Sequence, residues 1–162
     1  MTNDRIVKQV MIRAPRSRVW KAVADAKEFG TWFGVKLDGP FVAGKKVSGV
    51  IVGTVADPEV AELQKVHNGK QMDLWVEAVE PEKRLALRWH PHAIQEGVDY
   101  SQEPTTLIEF QLEEVPGGVI VTVTETGFEN IPLSRRATAF EANSGGWDVM
   151  VKVLGKYATE TK

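Results

Sequence analysis

The histidines of this chain are His67, His90 and His92, and the stretch His90-Pro91-His92 sets two imidazoles two residues apart. That spacing occurs in metal sites, yet a site needs a third or fourth ligand. The chain has no cysteine to supply one. Glu96 and Asp99 lie close by in sequence, so a metal reading stands beside the plainer one of loop or strand-end histidines. Lack of cysteine also removes disulfides, a thiolate nucleophile, thiolate zinc sites and cysteine-held iron–sulfur clusters. No nucleophile elbow, phosphate loop or dinucleotide fingerprint is present. Ser17, Ser48, Ser101, Ser134 and Ser144 have no motif around them, and "GPFVAG" has glycines but neither the lysine nor the hydroxyl of a phosphate loop. The expectation is therefore no metal, no cofactor and no assigned catalytic residue.

Glu125 is the more informative acid. Val119, Val121 and Val123 alternate, and strict alternation puts Glu125 on the same face. A carboxylate on the apolar face of a sheet is costly unless it is paired or wet. Two readings follow. Glu125 lines a cavity and meets a ligand, with a raised pKa suited to acid–base work; or it sits at the strand's end, where the face has opened to water. The five tryptophans are Trp20, Trp32, Trp75, Trp89 and Trp147. Trp20 reads as core. Trp32, Trp89 and Trp147, with Phe33, Phe110 and Met150, form either a solid aromatic core or the wall of a cavity.

These residues need elements to hold them. "RIVKQVMIRA" reads as a strand with Ile6, Val10 and Ile12 on one side and Lys8 breaking the pattern. "APRSRVWKAVADA" follows as a helix with Pro15 in its first turn. Asp25 and Glu28 predict a capping box for a second short helix, "AKEFGTWF". "VKLDGPFVAGKKVSGVIVGTVADPE" has β-branched runs between glycines and prolines. "DPEVAELQKV" can hold a helical turn. Two strands meet at a turn over Glu80 to Lys83, the second with Leu85, Leu87 and Trp89 on one face. A polar loop containing Tyr100 runs from Pro91 to Pro104. A hairpin then pairs Ile108, Phe110 and Leu112 with Val119, Val121 and Val123 across "PGG". From Pro132 to about Tyr157 a long helix recurs, with Leu133, Ala137, Phe140, Ser144, Trp147, Val151 and Leu154 as its stripe. Strands grouped between helices imply an α+β fold with an antiparallel sheet.

At 162 residues, 43% hydrophobic and 26% charged, one globular domain over residues 1–162 is expected. The net charge of −2 argues against a nucleic-acid partner. No secretory signal or membrane-length apolar run is present, so a cytoplasmic protein without a membrane partner is expected.

The order of elements, carried by "APRSRVWKAVADAKEFGTWF", "VEAVEPEKRLALRW", "TTLIEFQLEEVPGGVIVTVTETGF" and "GGWDVMVKVLGKY", resembles the SRPBCC superfamily, the START and birch-pollen-allergen helix-grip fold. Within it the chain resembles the domain homologous to the activator of the Hsp90 ATPase. The resemblance implies a curved antiparallel sheet wrapped around the C-terminal helix, with two short helices after the first strand. It also implies a cavity between sheet and helix. On that fold, Gly145 and Gly146 are expected to allow close packing or to leave room for a ligand.

Three functions follow from the resemblance. The first is binding of a small hydrophobic or amphipathic ligand, with Trp32, Phe33, Trp89, His90, Tyr100, Phe110, Glu125, Gly146, Trp147 and Met150 as cavity candidates. The second is regulation of a chaperone ATPase. The eukaryotic activator makes much of its chaperone contact through a separate amino-terminal domain, and none precedes Arg5, so the fold is expected to be shared more firmly than the activity. The third is a cyclase- or hydratase-like enzyme using Glu125, Asp99, His90 and Tyr100.

Overall fold

The computed structural model describes residues 5–95 and 97–160. Strand β1 (Arg5–Ile12) buries Ile6 and Ile12 and exposes Val7 and Met11, the alternation of a half-buried strand. Helices α1 (Arg16–Ala24) and α2 (Ala26–Phe33) follow. Pro15 stands at the N-cap of α1, one place before its predicted position. The Asp25 carboxylate caps α2 by accepting from the backbone N–H of Lys27 at 3.0 Å and of Glu28 at 3.1 Å. The predicted box is thus half formed. Glu28 instead accepts from Arg18 at 2.7 Å and from the Tyr157 hydroxyl at 3.0 Å, which ties both short helices to the C-terminal one. Helix α2 ends at Gly34, whose φ of 95° is left-handed. A Cβ there would also lie 2.8 Å from the backbone nitrogen of Thr54, so only glycine fits.

The sheet comprises β1, β2 (Val35–Leu37), β3 (Lys46–Ile51), β4 (Gln71–Glu80), β5 (Arg84–Trp89), β6 (Thr106–Val115) and β7 (Gly118–Thr126). Every pairing is antiparallel, and the spatial order is β1-β7-β6-β5-β4-β3-β2. A bulge between Val76 and Ala78 bends β4. Helix α3 (Pro58–Gln64) fills the predicted helical turn, capped by Asp57. On the outer face Arg84 reaches Glu109 and Glu80, and Arg88 reaches Glu77, covering the sheet with ion pairs. The inner face buries Leu85, Leu87, Ile108, Phe110, Val119, Val121 and Val123. Fully burying one such side chain is worth roughly 1.5–3 kcal/mol.

Helix α4 (Leu133–Glu160) closes the inner face, and the fold is the expected α+β helix grip. Its buried side chains are Ala139, Trp147, Met150, Val151, Val153, Leu154 and Ala158. The predicted stripe is wrong at its start. Leu133 is 78% exposed, and Ala137 is exposed too, so the first turns of the helix turn that stripe to water. Gly145 and Gly146 also face outward; a Cβ on either would meet nothing within 4 Å. The close approach falls instead on Gly155, where a Cβ would sit 3.2 Å from Val10 Cγ2 on β1. The close backbone approach therefore lies about two and a half turns further along the same helix than the glycine pair suggests.

Candidate functional site

Glu125 is the penultimate residue of β7, yet the face there has not opened to water. It pairs with Ile6 on β1 and Ile108 on β6, and it is fully buried. Four side chains donate to its carboxylate. Oε2 accepts from Thr106 Oγ1 at 2.6 Å, Trp89 Nε1 at 2.7 Å and Asn143 Nδ2 at 3.0 Å. Oε1 accepts from Trp147 Nε1 at 2.9 Å and Asn143 Nδ2 at 3.1 Å. All four donors are neutral. Burial pushes the carboxyl pKa up, and the hydrogen bonds from Thr106, Trp89, Trp147 and Asn143 pull it back. Each donor sits where its element dictates. Trp89 and Thr106 are register partners on β5 and β6, and Asn143 lies one helical turn before Trp147 on α4.

Against this cluster lies a cavity of about 610 Å³. Its apolar walls include Phe33, Met72, Trp75, Trp89 and Tyr100, and its polar groups include Lys46, Lys70, Asp73, His90 and Asn143. Residues 92–95 and 98–101 of the loop after β5 form one side. Arg135, on the first turn of α4, holds that loop: its guanidinium bonds Glu103 at 2.6 Å and the Pro91 carbonyl at 2.8 Å, and packs 4.8 Å over the Tyr100 ring. Trp89 and Asn143 belong to both structures. They line the cavity and donate to Glu125, which therefore braces the wall from behind without lining it.

The candidates thus divide. Phe33, Trp89, His90 and Tyr100 line the cavity. Trp32, Phe110 and Met150 do not; they are buried in the core, with Trp32 Nε1 donating to the Ala22 carbonyl at 2.8 Å and Phe110 edge-on to Phe29, Trp32 and Trp147. The space directly beneath α4 is filled with side chains, and the hollow lies beyond its N-terminal half. Gly146 faces away from it. Asn143, Thr106 and Arg135 were missed by the sequence reading. Thr106 was legible, since Thr106, Ile108 and Phe110 alternate on one face. Asn143 was legible as the polar member of the Ala139–Asn143–Trp147 step of four. Arg135 carries no comparable signal.

His90 and His92 both line the cavity, as neighbours rather than as a ligand set. The His90 ring stands edge-on to Trp75 at 5.3 Å, and His92 turns the chain out of β5 with a φ of 51°. Burial is the first cause that lowers the pKa of His67, His90 and His92, keeping them neutral. Glu96 lies outside the described residues. Among the described residues no three His, Asp or Glu side chains are grouped to hold a metal ion. A larger groove of about 850 Å³ runs between α2 and β2, but its acids are spent locally: Asp25 caps α2, and Asp38 accepts from the Ser48 N–H. The smaller cavity joins aromatic walls to converging polar groups, and it is the candidate site.

The family model described as "Activator of Hsp90 ATPase homolog 1-like protein" matches residues 13–159. The chain belongs to this family. Solved structures agree on the fold of this Hsp90-activator-homologue domain. Protein MLL2253 from Mesorhizobium loti is 22% identical with a TM-score of 0.69, over 98% of both chains. The Aha1 dimer from Colwellia psychrerythraea is 20% identical with a TM-score of 0.66, over 98% of this chain and 97% of that one. DynU16, a protein of the dynemicin biosynthetic locus, is 26% identical with a TM-score of 0.67; this chain spans 48% of it. No curated protein matches the domain. Among its described residues no helix is long and apolar enough to cross a membrane.

Proposed function

We propose that this domain binds a small amphipathic ligand in the cavity between the sheet and the 91–104 loop. The observation that carries this is a wall held rigid by a polar brace. Trp89 and Asn143 each present one side to the cavity and are fixed from behind by Glu125. A preset aromatic wall binds a ligand without first having to be ordered. The volume suits a drug-sized molecule, and the mixed lining suits one with an apolar body and a polar end. Phe33, Trp89, His90 and Tyr100 are contacts in this reading; Trp147 and Glu125 support the wall.

Binding is favoured over catalysis because both oxygens of Glu125 are taken by donors and neither lines the cavity. An amphipathic arene should quench tryptophan fluorescence saturably, with a negative binding heat capacity. Met72→Trp fills the space from β4 and should weaken binding at least about tenfold while leaving the fold intact. Absence of saturable binding across apolar and amphipathic probes would sink the proposal. Family membership supports chaperone regulation as the second reading. Its mark would be capture of the chaperone that is lost in salt.

A further inference from the structure

One cation of the cavity lacks a charged partner among the described residues. Lys70, just before β4, lines the cavity, and its ammonium donates to the Ile94 carbonyl at 3.0 Å and to His67 Nδ1 at 3.1 Å. Both acceptors are neutral, since burial and then Lys70 itself hold His67 below its ordinary pKa. An ammonium has three N–H donors, and the third has no protein acceptor among the described residues. None of the ion pairs among those residues includes Lys70.

The other charges around the cavity are committed. Lys46 pairs with Asp73 at 3.3 Å and packs over Trp75. Arg135 is held by Glu103. Asp99 is exposed, and its carboxylate accepts from the Ser101 N–H at 2.9 Å. Lys70 is also anchored at both neighbours, to the loop through Ile94 and to the turn after α3 through His67, so its position is fixed before a ligand arrives. The rings of Trp75, Trp89 and Phe33 line the same cavity.

Building on the ligand-binding reading above, we propose that Lys70 is the anion subsite of this cavity and that the ligand class is an aromatic carboxylate. The arene lies against the indole and phenyl walls, and the carboxylate accepts the free N–H of Lys70. A charge-assisted bond of this kind is about twice as strong as a neutral one.

The test uses the whole chain and three probes: naphthoate, its neutral amide naphthamide, and decanoate, each titrated by tryptophan fluorescence and calorimetry. Naphthoate should bind about tenfold or more tightly than naphthamide. Raising salt should erode that preference and leave naphthamide unchanged. In Lys70→Met the two should bind equally, at the naphthamide affinity of the wild type; in Lys70→Arg the preference should persist. Naphthamide binding in the variant shows that its cavity is intact, and the salt arm decides the matter in the wild type if a variant does not fold. Equal binding of naphthoate and naphthamide by the wild type overturns the anion subsite and leaves the cavity reading standing. Failure of every probe overturns both. Decanoate binding more tightly than naphthoate overturns the assignment of an arene.

Discussion

Two regions of the molecule are built from the same residue types. On one side Phe29, Trp32 and Phe110 pack ring against ring, with centroids 5.0–6.4 Å apart, and no space is left. On the other, Phe33, Trp75, Trp89 and Tyr100 surround a hollow. Aromatic content does not separate the halves; what covers them does. The solid half is capped by the apolar faces of α1, α2 and α4. The hollow half is covered by the loop after β5, which offers Tyr100 among small apolar and polar residues and is held by Arg135 and Lys70. Glu125 stands where the halves meet, bonded to Trp147 on the packed side and Trp89 on the open side.

The largest test of that contrast is truncation on each side. Phe110→Ala removes a fully buried ring and should cost about 3–5 kcal/mol in denaturant unfolding. Trp75→Ala, on a wall that already faces water, should cost less than about 2 kcal/mol and weaken ligand binding instead. Equal stability losses would mean that the hollow closes up and the halves do not differ.

Glu125→Gln probes the boundary. Each carboxylate oxygen accepts an indole N–H, and an indole cannot accept. Whichever way the amide turns, its NH₂ meets one tryptophan donor. A loss of about 1–3 kcal/mol is expected despite the removal of a buried acid. A neutral or stabilising outcome would show that the brace is dispensable.

The same pair of proteins sharpens the point with pH. Burial raises the folded pKa of Glu125 above its unfolded value, so the stabilising contribution of its protonated form is complete below the unfolded pKa and is lost as pH rises through the folded one. The wild type should therefore lose part of its margin over Glu125→Gln as pH rises from about 4. The three histidines titrate in both proteins and cancel in the difference. A margin that grows with pH in thermal melts would contradict the direction of the shift.

The smallest effects lie on α4, which repeats the contrast along one helix. Gly155→Leu presses a side chain against Val10 and should cost about 1–3 kcal/mol. Gly146→Ala fills open space and should gain up to about 1 kcal/mol through helix propensity. A loss at Gly146 would mean that a partner covers this face.

Local chemistry fixes much of this protein before any packing is considered. Alternation set the faces of β1, β5, β6 and β7, and placed Glu125 inward among valines. Asp25 marked the start of α2, and the grouping of strands between helices gave the antiparallel sheet. Period and capping act over a few residues, so a sequence displays them directly. Other outcomes depended on groups distant along the chain. The donors to Glu125 come from β5, β6 and α4, and nothing local says that they converge. Glu28 left its predicted capping partner because Arg18 and Tyr157 reached it in space. The glycine pair and Gly155 look alike in sequence, and only the crossing of α4 over β1 made one of them a contact. The division between core and cavity was decided in the same way. A ring is packed or exposed to a hollow according to what the tertiary fold lays over it, and the sequence spells the ring but not its cover.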